Sequence, residues 1–240
     1  MKQIVVFIMV SSLVDMVSAQ LKEGTIIFEQ KIDMHRRIPE EDAQMRSMIP
    51  HFRTSKFELV FADDQSYYKM QEAEPDITES TGGGGGIVMK FGGGNSEYYR
   101  NFKTNKTVEK RELADKDYII EDTLHTIKWK MSEDTKMILG YNCKKAAGKT
   151  ERGSDLEVWY TEDIALSSGP EIFTGLPGMV LMVDVNKGEF VYSAIEVNKT
   201  LDKKTLKAPS KGKRVSPAEF TILQKEIFGD QRGPVRIRRN

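Results

Sequence analysis

Apolar and polar residues alternate with a period of two along most of this chain, the pattern of strands that turn one face to a core. Ile26, Phe28, Ile32 and Met34 share one face of a first segment, with Thr25, Glu29, Lys31 and Asp33 mostly opposite. Phe57, Leu59 and Phe61 repeat the pattern, and the turn-forming Ala62-Asp63-Asp64-Gln65 leads into Tyr68 and Met70 as a hairpin. Further strands are predicted at Tyr98–Phe102, around Val108, at Tyr118–Ile120, and through Ile127, Trp129 and Met131. A single strand is expected to carry Met137, Leu139, Tyr141 and Cys143, and another Leu156, Val158 and Tyr160. Met179–Val185 and Phe190–Val197 close the series. Strands this closely spaced leave no room for the long crossovers of a parallel sheet. The fold predicted is mainly β: an antiparallel, strongly curved sheet or open half-barrel with one covering helix and a C-terminal helix.

Two strands break the alternation. Met179-Val180-Leu181-Met182-Val183 is apolar on both faces, and Phe190-Val191-Tyr192 with Ala194-Ile195 nearly is. Such strands must be covered on both sides, because apolar surface left in water forfeits about 25 cal/mol per Å². A helix, the far wall of a half-closed barrel or a bound apolar ligand would each serve. One helix is expected near 39–50, where Pro39 precedes Glu40, Glu41 and Asp42, and Met45, Met48, Ile49 and Phe52 fall on one side. A second starts at Ser216-Pro217-Ala218-Glu219 with a capping box, carries Phe220, Leu223 and Ile227 as its stripe, and stops at Gly229.

The densest local signal is Gly169-Pro170-Glu171-Ile172-Phe173-Thr174-Gly175-Leu176-Pro177-Gly178-Met179-Val180. Pro177-Gly178 suits the centre of a type II turn. Ile172, Phe173 and Leu176 are apolar residues in a loop, which points to a loop packed onto the protein. Trp159 lies on the polar face of its strand with Asp155 and Glu157, implying that this second face is covered or forms a cavity. Trp159, Phe173, Leu176 and Met182 are therefore the candidate ligand-binding residues. Gly82–Gly86 and Gly92–Gly94 bracket Val88, Met89 and Phe91. Without a following Lys-Ser or Lys-Thr they read as a flexible loop, or alternatively a mobile lid, and not as a phosphate cradle.

Composition changes the picture in three places. Lys2, the apolar run Ile4–Val10 and Val17-Ser18-Ala19 read as a signal peptide over 1–19, cleaved before Gln20, with a buried N-terminal helix as the alternative. No second apolar run follows, so no transmembrane span is expected in the mature chain. The remainder divides into one β domain, 20–200, and a basic tail, 201–240, with a short helix. Residues 199–240 carry 12 Lys or Arg against four acids, a net +8 in a chain with 36 charges of each sign. That tail folds back on an acidic barrel or meets anionic lipid headgroups; after export, nucleic acid is not an expected partner. The lone Cys143 rules out an internal disulfide and reads as a small buried hydrophobe, a reactive or intermolecular thiol being the alternative.

Chemistry is sparse. Gly-x-Ser-x-Gly and His-Glu-x-x-His are absent, and His35, His51 and His125 stand far apart, so no catalytic residue, metal ligand or cofactor is assigned. Carboxylate pairs carry no short signature, which leaves a hydrolase open. Gly175-Leu176-Pro177-Gly178-Met179-Val180 resembles the signature of the GLPGLI family, with Met-Val in place of its final Leu-Ile. Gly140-Tyr141-Asn142-Cys143-Lys144-Lys145-Ala146, Val158-Trp159-Tyr160-Thr161 and Gly169-Pro170 are similar in order and spacing. The resemblance implies an exported cell-envelope protein of the Bacteroidetes, in the periplasm, at the outer membrane or secreted, and supplies no catalytic residues. The strand-rich layout also looks like the half-barrel of periplasmic lipoprotein carriers. The expectation is a non-catalytic binding protein for a lipid or another apolar or amphiphilic ligand. The alternative is an interaction module accessory to a TonB-dependent outer-membrane receptor or envelope complex.

Overall fold

A computed structural model describes residues 20–71, 96–201 and 203–229. The predicted leader, the glycine runs with Val88, Met89 and Phe91, and the tail residues 230–240 lie outside them. The strands are β1 (Glu23–Asp33), β2 (Phe52–Ala62), β3 (Gln65–Met70), β4 (Glu97–Asn101), β5 (Lys106–Leu113) and β6 (Lys116–Thr123). They continue as β7 (Lys130–Ile138), β8 (Tyr141–Lys149), β9 (Asp155–Thr161), β10 (Met179–Val185), β11 (Phe190–Asn198) and β12 (Lys213–Val215). Helix α1 (Ala43–Met48) lies between β1 and β2, and α2 (Pro217–Phe228) follows β12.

All the strands join one open 12-stranded sheet in the order β12-β6-β5-β4-β3-β2-β1-β11-β10-β9-β8-β7. Every pairing is antiparallel except β12 on β6. The fold class read from the alternation, a mainly β antiparallel sheet that does not close, is what the chain adopts. Its topology is two meanders joined at the middle: β1 is the first of the described strands, yet pairs with β2 on one side and β11 on the other.

Three expectations change. The strand expected through Met137, Leu139, Tyr141 and Cys143 is a hairpin, with Leu139 at φ +49° and Gly140 at φ +83° forming the turn between β7 and β8. A two-residue turn inserts an even number of positions, so the period-two pattern runs through it unbroken. Ile127 and Trp129 precede β7 and lie in the connection from β6. The first helix spans only Ala43–Met48, capped by Asp42 accepting from the Met45 N–H at 3.0 Å, and buries none of its residues. It covers no sheet face. The C-terminal helix has the expected capping box at Ser216 and Glu219, and packs Phe220 edge-on against Tyr118 at 5.7 Å between ring centroids. Its stripe fades after Leu223, leaving Ile227 44% exposed. The segment after residue 200 contributes β12 to the sheet, so its described part is joined to the β domain by backbone pairing.

The cover for β10 comes from elsewhere. Met179, Val180, Leu181 and Val183 are wholly buried and Met182 half-buried. The long connection from β9 to β10 lays Ile164, Leu166, Phe173 and Leu176 into the core. It is tied down at Leu21, whose N–H donates to the Asp163 carbonyl at 2.8 Å, and at Ser168, whose hydroxyl donates to the buried Ser66 hydroxyl at 2.9 Å. β11 is covered less completely, with Val191 half-buried and Ile195 41% exposed. The register skips Ile195 between the pairs Ile27–Glu196 and Phe28–Ala194, so a bulge turns that side chain outward.

The turn at Pro177-Gly178 is tighter than type II: the Gly178 N–H donates to the Leu176 carbonyl at 2.8 Å. Gly178 has φ +149°, and a Cβ there would stand 2.0 Å from the Thr161 carbonyl oxygen. The hexapeptide is thus a point of backbone-to-backbone contact between the connection and the end of β9. Among the described residues, no helix is long and apolar enough to cross a membrane.

Gly178→Ala should lower the free energy of unfolding by about 3 kcal/mol, since it adds a backbone clash to an unfavourable φ. Gly153→Ala, at φ +88° with nothing within 4 Å of the added Cβ, should cost about 1 kcal/mol. Urea unfolding midpoints of the two variants would check this; equal midpoints would remove the packing role assigned to Gly178.

Candidate functional site in the concave face

The curl of the sheet encloses a cleft of about 1740 Å³. Gln30 and Ile32 of β1, Arg53, Ser55 and Phe57 of β2, and Phe190 and Tyr192 of β11 line its centre. Tyr98 and Arg100 of β4 with Thr107, Glu109 and Arg111 of β5 form one flank. The end of β6 and the connection after it (residues 122–128), the β8–β9 hairpin and Glu171–Thr174 form the other. Strand periodicity places these side chains together, with Gln30 opposite both Ser55 and Tyr192, Tyr98 opposite Glu109, and Arg100 opposite Thr107.

The cleft lining mixes apolar side chains with charged and amide groups. Arg111 donates from Nε and Nη2 to the same Glu109 oxygen, at 2.9 and 2.7 Å. Both guanidinium groups lie near the Tyr98 ring, Arg100 at 5.5 Å and Arg111 at 5.9 Å from its centroid. Arg100 is 3% exposed, and burial lowers its pKa against the opposing charge of Glu109. Glu171 enters at φ +42° on the turn closed by the Phe173 N–H donating to the Pro170 carbonyl at 3.0 Å. Its carboxylate accepts from the Tyr192 hydroxyl and from Gln30 Nε2, the latter at 3.4 Å. Burial raises the Glu171 pKa above its ordinary value, with the Tyr192 hydrogen bond, Arg111 and Arg100 opposing the rise. Tyr98 and Tyr192 are likewise raised by burial and stay protonated.

Trp129 pins the loop that delivers Glu171. Its Nε1–H donates to the Thr174 carbonyl at 2.8 Å, and its ring fills the space over Gly148, where a Cβ would sit 2.9 Å from ring carbon Cε3.

The candidate ligand-binding residues fall into two groups. Phe173 and Leu176 are buried together with Val158, Val180 and Tyr192, and Phe173 reaches the cleft wall. Trp159 and Met182 pair across β9 and β10 on the opposite face. There Lys136 Nζ stands 4.1 Å from the Trp159 ring centroid and 3.0 Å from Met182 Sδ. The four do not share one surface. Of the motif residues, Leu176, Gly178, Met179 and Val180 are buried, and Gly175 and Pro177 are exposed. Arg100, Glu109, Arg111 and Gln30 were not singled out as site residues from the sequence. The signal was a charged or amide residue at an inward position of an alternating strand, as in Tyr98-Tyr99-Arg100.

Other candidates resolve simply. The fold stacks His35 on His51 at 4.6 Å, with His51 3.3 Å from Asp33 and His35 Nε2 2.8 Å from the Ile49 carbonyl. His125 stands 3.1 Å from Asp122. Among the described residues, no group of three or more His, Cys, Asp or Glu converges as metal ligands would. Cys143 is fully buried, and burial pushes its thiol up to about 11.

The pattern of a known family, described as the N-glycanase peptide, N-terminal domain, matches residues 95–219, just over half of the chain. The chain belongs to this family. No curated protein matches its sequence. Two structures of PNGF-II, in space groups C2 and P21, are similar to it, with TM-scores of 0.55 and 0.56 at 20% and 19% identity. The alignments cover 84% and 86% of this chain but 32% and 33% of PNGF-II. At that identity the likeness shows the fold, and the chain spans about a third of PNGF-II's length. The GLPGMV hexapeptide, the Trp129 clamp and the β4–β5 flank all fall inside the matched span.

Two predictions follow from these environments. Cys143 should resist a thiol reagent at pH 8 in the native protein and react with one equivalent in 6 M guanidinium chloride; fast native labelling would contradict its burial. The raised Glu171 carboxyl binds its proton more tightly folded than unfolded, so stability should fall as pH rises from 4.5 through the raised folded value and then level off. Glu171→Gln should flatten that segment of the urea midpoint–pH profile, and an unchanged profile would place the titration elsewhere.

Proposed function

We propose that this chain is a non-catalytic binding protein whose concave cleft takes an oligosaccharide. The observation that carries the reading is the lining itself, which brings together aromatic rings of Phe57, Tyr98, Phe173, Phe190 and Tyr192 and planar hydrogen-bonding groups of Gln30, Arg53, Arg111 and Asp122. Sugars present apolar ring faces to aromatics and hydroxyl rims to such groups. A hydrocarbon ligand would dehydrate Arg53, Glu109 and Glu171 without replacing their hydrogen bonds, at a cost of several kcal/mol. That argues for a hydroxyl-rich ligand over the lipid or amphiphile expected from the apolar strands. The family's description as an N-glycanase domain supports a glycan. With residues 1–19 read as an export leader, the ligand is met in the cell envelope or outside it. An exported module docking on an outer-membrane receptor would use the outer face, which carries Trp159 and Ile195.

One observation favours a second reading. Glu109 and Glu171 both line the cleft, and the Glu109 charge adds to the burial that raises Glu171, as in acid–base pairs of glycosidases.

Isothermal titration against N-glycans, and against palmitate and lysophospholipid in parallel, would decide. The expected result is glycan binding that weakens about tenfold or more in Tyr192→Ala, with glycans recovered intact by mass spectrometry. Binding of lipid alone would overturn the glycan reading, and glycan cleaved by the unmodified protein but recovered intact with Glu171→Gln would establish the hydrolase.

A further inference from the structure

Two hydrogen-bond donors, one on the cleft wall and one behind it, have no partner among the described residues. Arg100 is 3% exposed, and its Nη1 is buried with no partner among the described residues. The Tyr68 hydroxyl, on the neighbouring strand β3, is also buried and unpartnered. Arg100 and Glu171 both act on that hydroxyl electrostatically, which places the three groups in one neighbourhood. A guanidinium has donors only, so the missing partner of Arg100 Nη1 is an acceptor. A buried guanidinium needs a counter-charge as well as hydrogen bonds. Glu109 already shares its charge with Arg111, whose Nε and Nη2 both meet one of its oxygens. Glu171 is the other carboxylate whose charge reaches both arginines, but its hydrogen bonds come from Tyr192 and Gln30. It arrives from the covering connection, whereas the arginines stand on the sheet.

We propose that Arg100 and Arg111 form a subsite for the carboxylate of an acidic sugar, and that the Glu171 side chain occupies its entrance as an internal stand-in for that carboxylate. The proposal rests on the glycan-binding reading and names the ligand class. A bound sugar acid would meet the two guanidinium groups and displace the Glu171 carboxylate, since two carboxylates beside the same pair of arginines repel. The groups facing Glu171 are Tyr68 of β3, Tyr98 and Arg100 of β4, Glu109 and Arg111 of β5, and Gln30 and Tyr192 of β1 and β11. Of these, Glu171 is the carboxyl with the raised pKa. A sugar carboxylate stays ionised while Glu171 takes a proton, so acidic ligands bind more tightly below the raised Glu171 value than above it.

The test is titration of the full chain with a sialylated biantennary N-glycan, its desialylated counterpart and a sulfated glycan of the same size. The sialylated glycan should bind about tenfold more tightly than the neutral one. Glu171→Gln should strengthen acidic binding severalfold relative to neutral binding and abolish the pH dependence. Arg100→Met should remove the preference for acid, with Arg100→Lys restoring part of it. Because the buried Arg100 variants can fail to fold, the Glu171→Gln comparison stands by itself as the deciding measurement. Equal affinity for sialylated and neutral glycans would overturn the subsite while leaving the glycan-binding reading intact. Preference for the sulfated glycan would overturn the carboxylate assignment. Binding of no glycan at all would remove both readings.

Discussion

The protein is organised by the need to keep β10 dry on both faces. Met179, Val180, Leu181 and Val183 leave no side of that strand for water, and neither helix reaches it. The connection over residues 162–178 does, and it adheres by close backbone contact. Gly169 lies where a Cβ would meet the Phe173 carbonyl at 2.5 Å, and Gly178 where it would meet the Thr161 carbonyl at 2.0 Å. Glycine is required at such approaches because any side chain would hold the two backbones apart. The Gly175–Gly178 segment is thus a fastening, and Met179 and Val180, which follow it, are buried apolar side chains.

The same connection makes the candidate site. Fastened at its ends and under Trp129, it carries Glu171 across the mouth of the cleft toward the arginines of β4 and β5. Burial of Arg100 and Glu171 is unfavourable for each alone. It is tolerated because they are opposite charges in one network with Arg111, Glu109 and the tyrosines. Such an arrangement holds polar chemistry inside a β scaffold that would otherwise fill its interior with hydrocarbon. The PNGF-II structures share this chain's fold over about a third of their own length.

Most of the strands were legible because burial on one face imposes a period of two, and every pair of neighbouring side chains records it. The failures are equally physical. The β7–β8 hairpin was hidden by a turn of even length. Helix α1 was overestimated because Met45 and Met48 have helical spacing but end up in solvent, 46% and 75% exposed. The bulge at Ile195 could not be seen, since a register skip belongs to the pairing of two strands and leaves no mark on either alone.

What the sequence determined by itself was the strand content, the antiparallel class, the capped C-terminal helix and the demand that β10 be covered. Each follows from contacts between residues close along the chain or from the polarity of a single segment. Which segment supplies the cover, which strands lie side by side at the centre, and that Arg100, Arg111, Glu109 and Glu171 share one cleft were decided only in three dimensions. Those charges come from separate elements as far apart as residues 100 and 171, and their attraction has no periodicity to write into the chain.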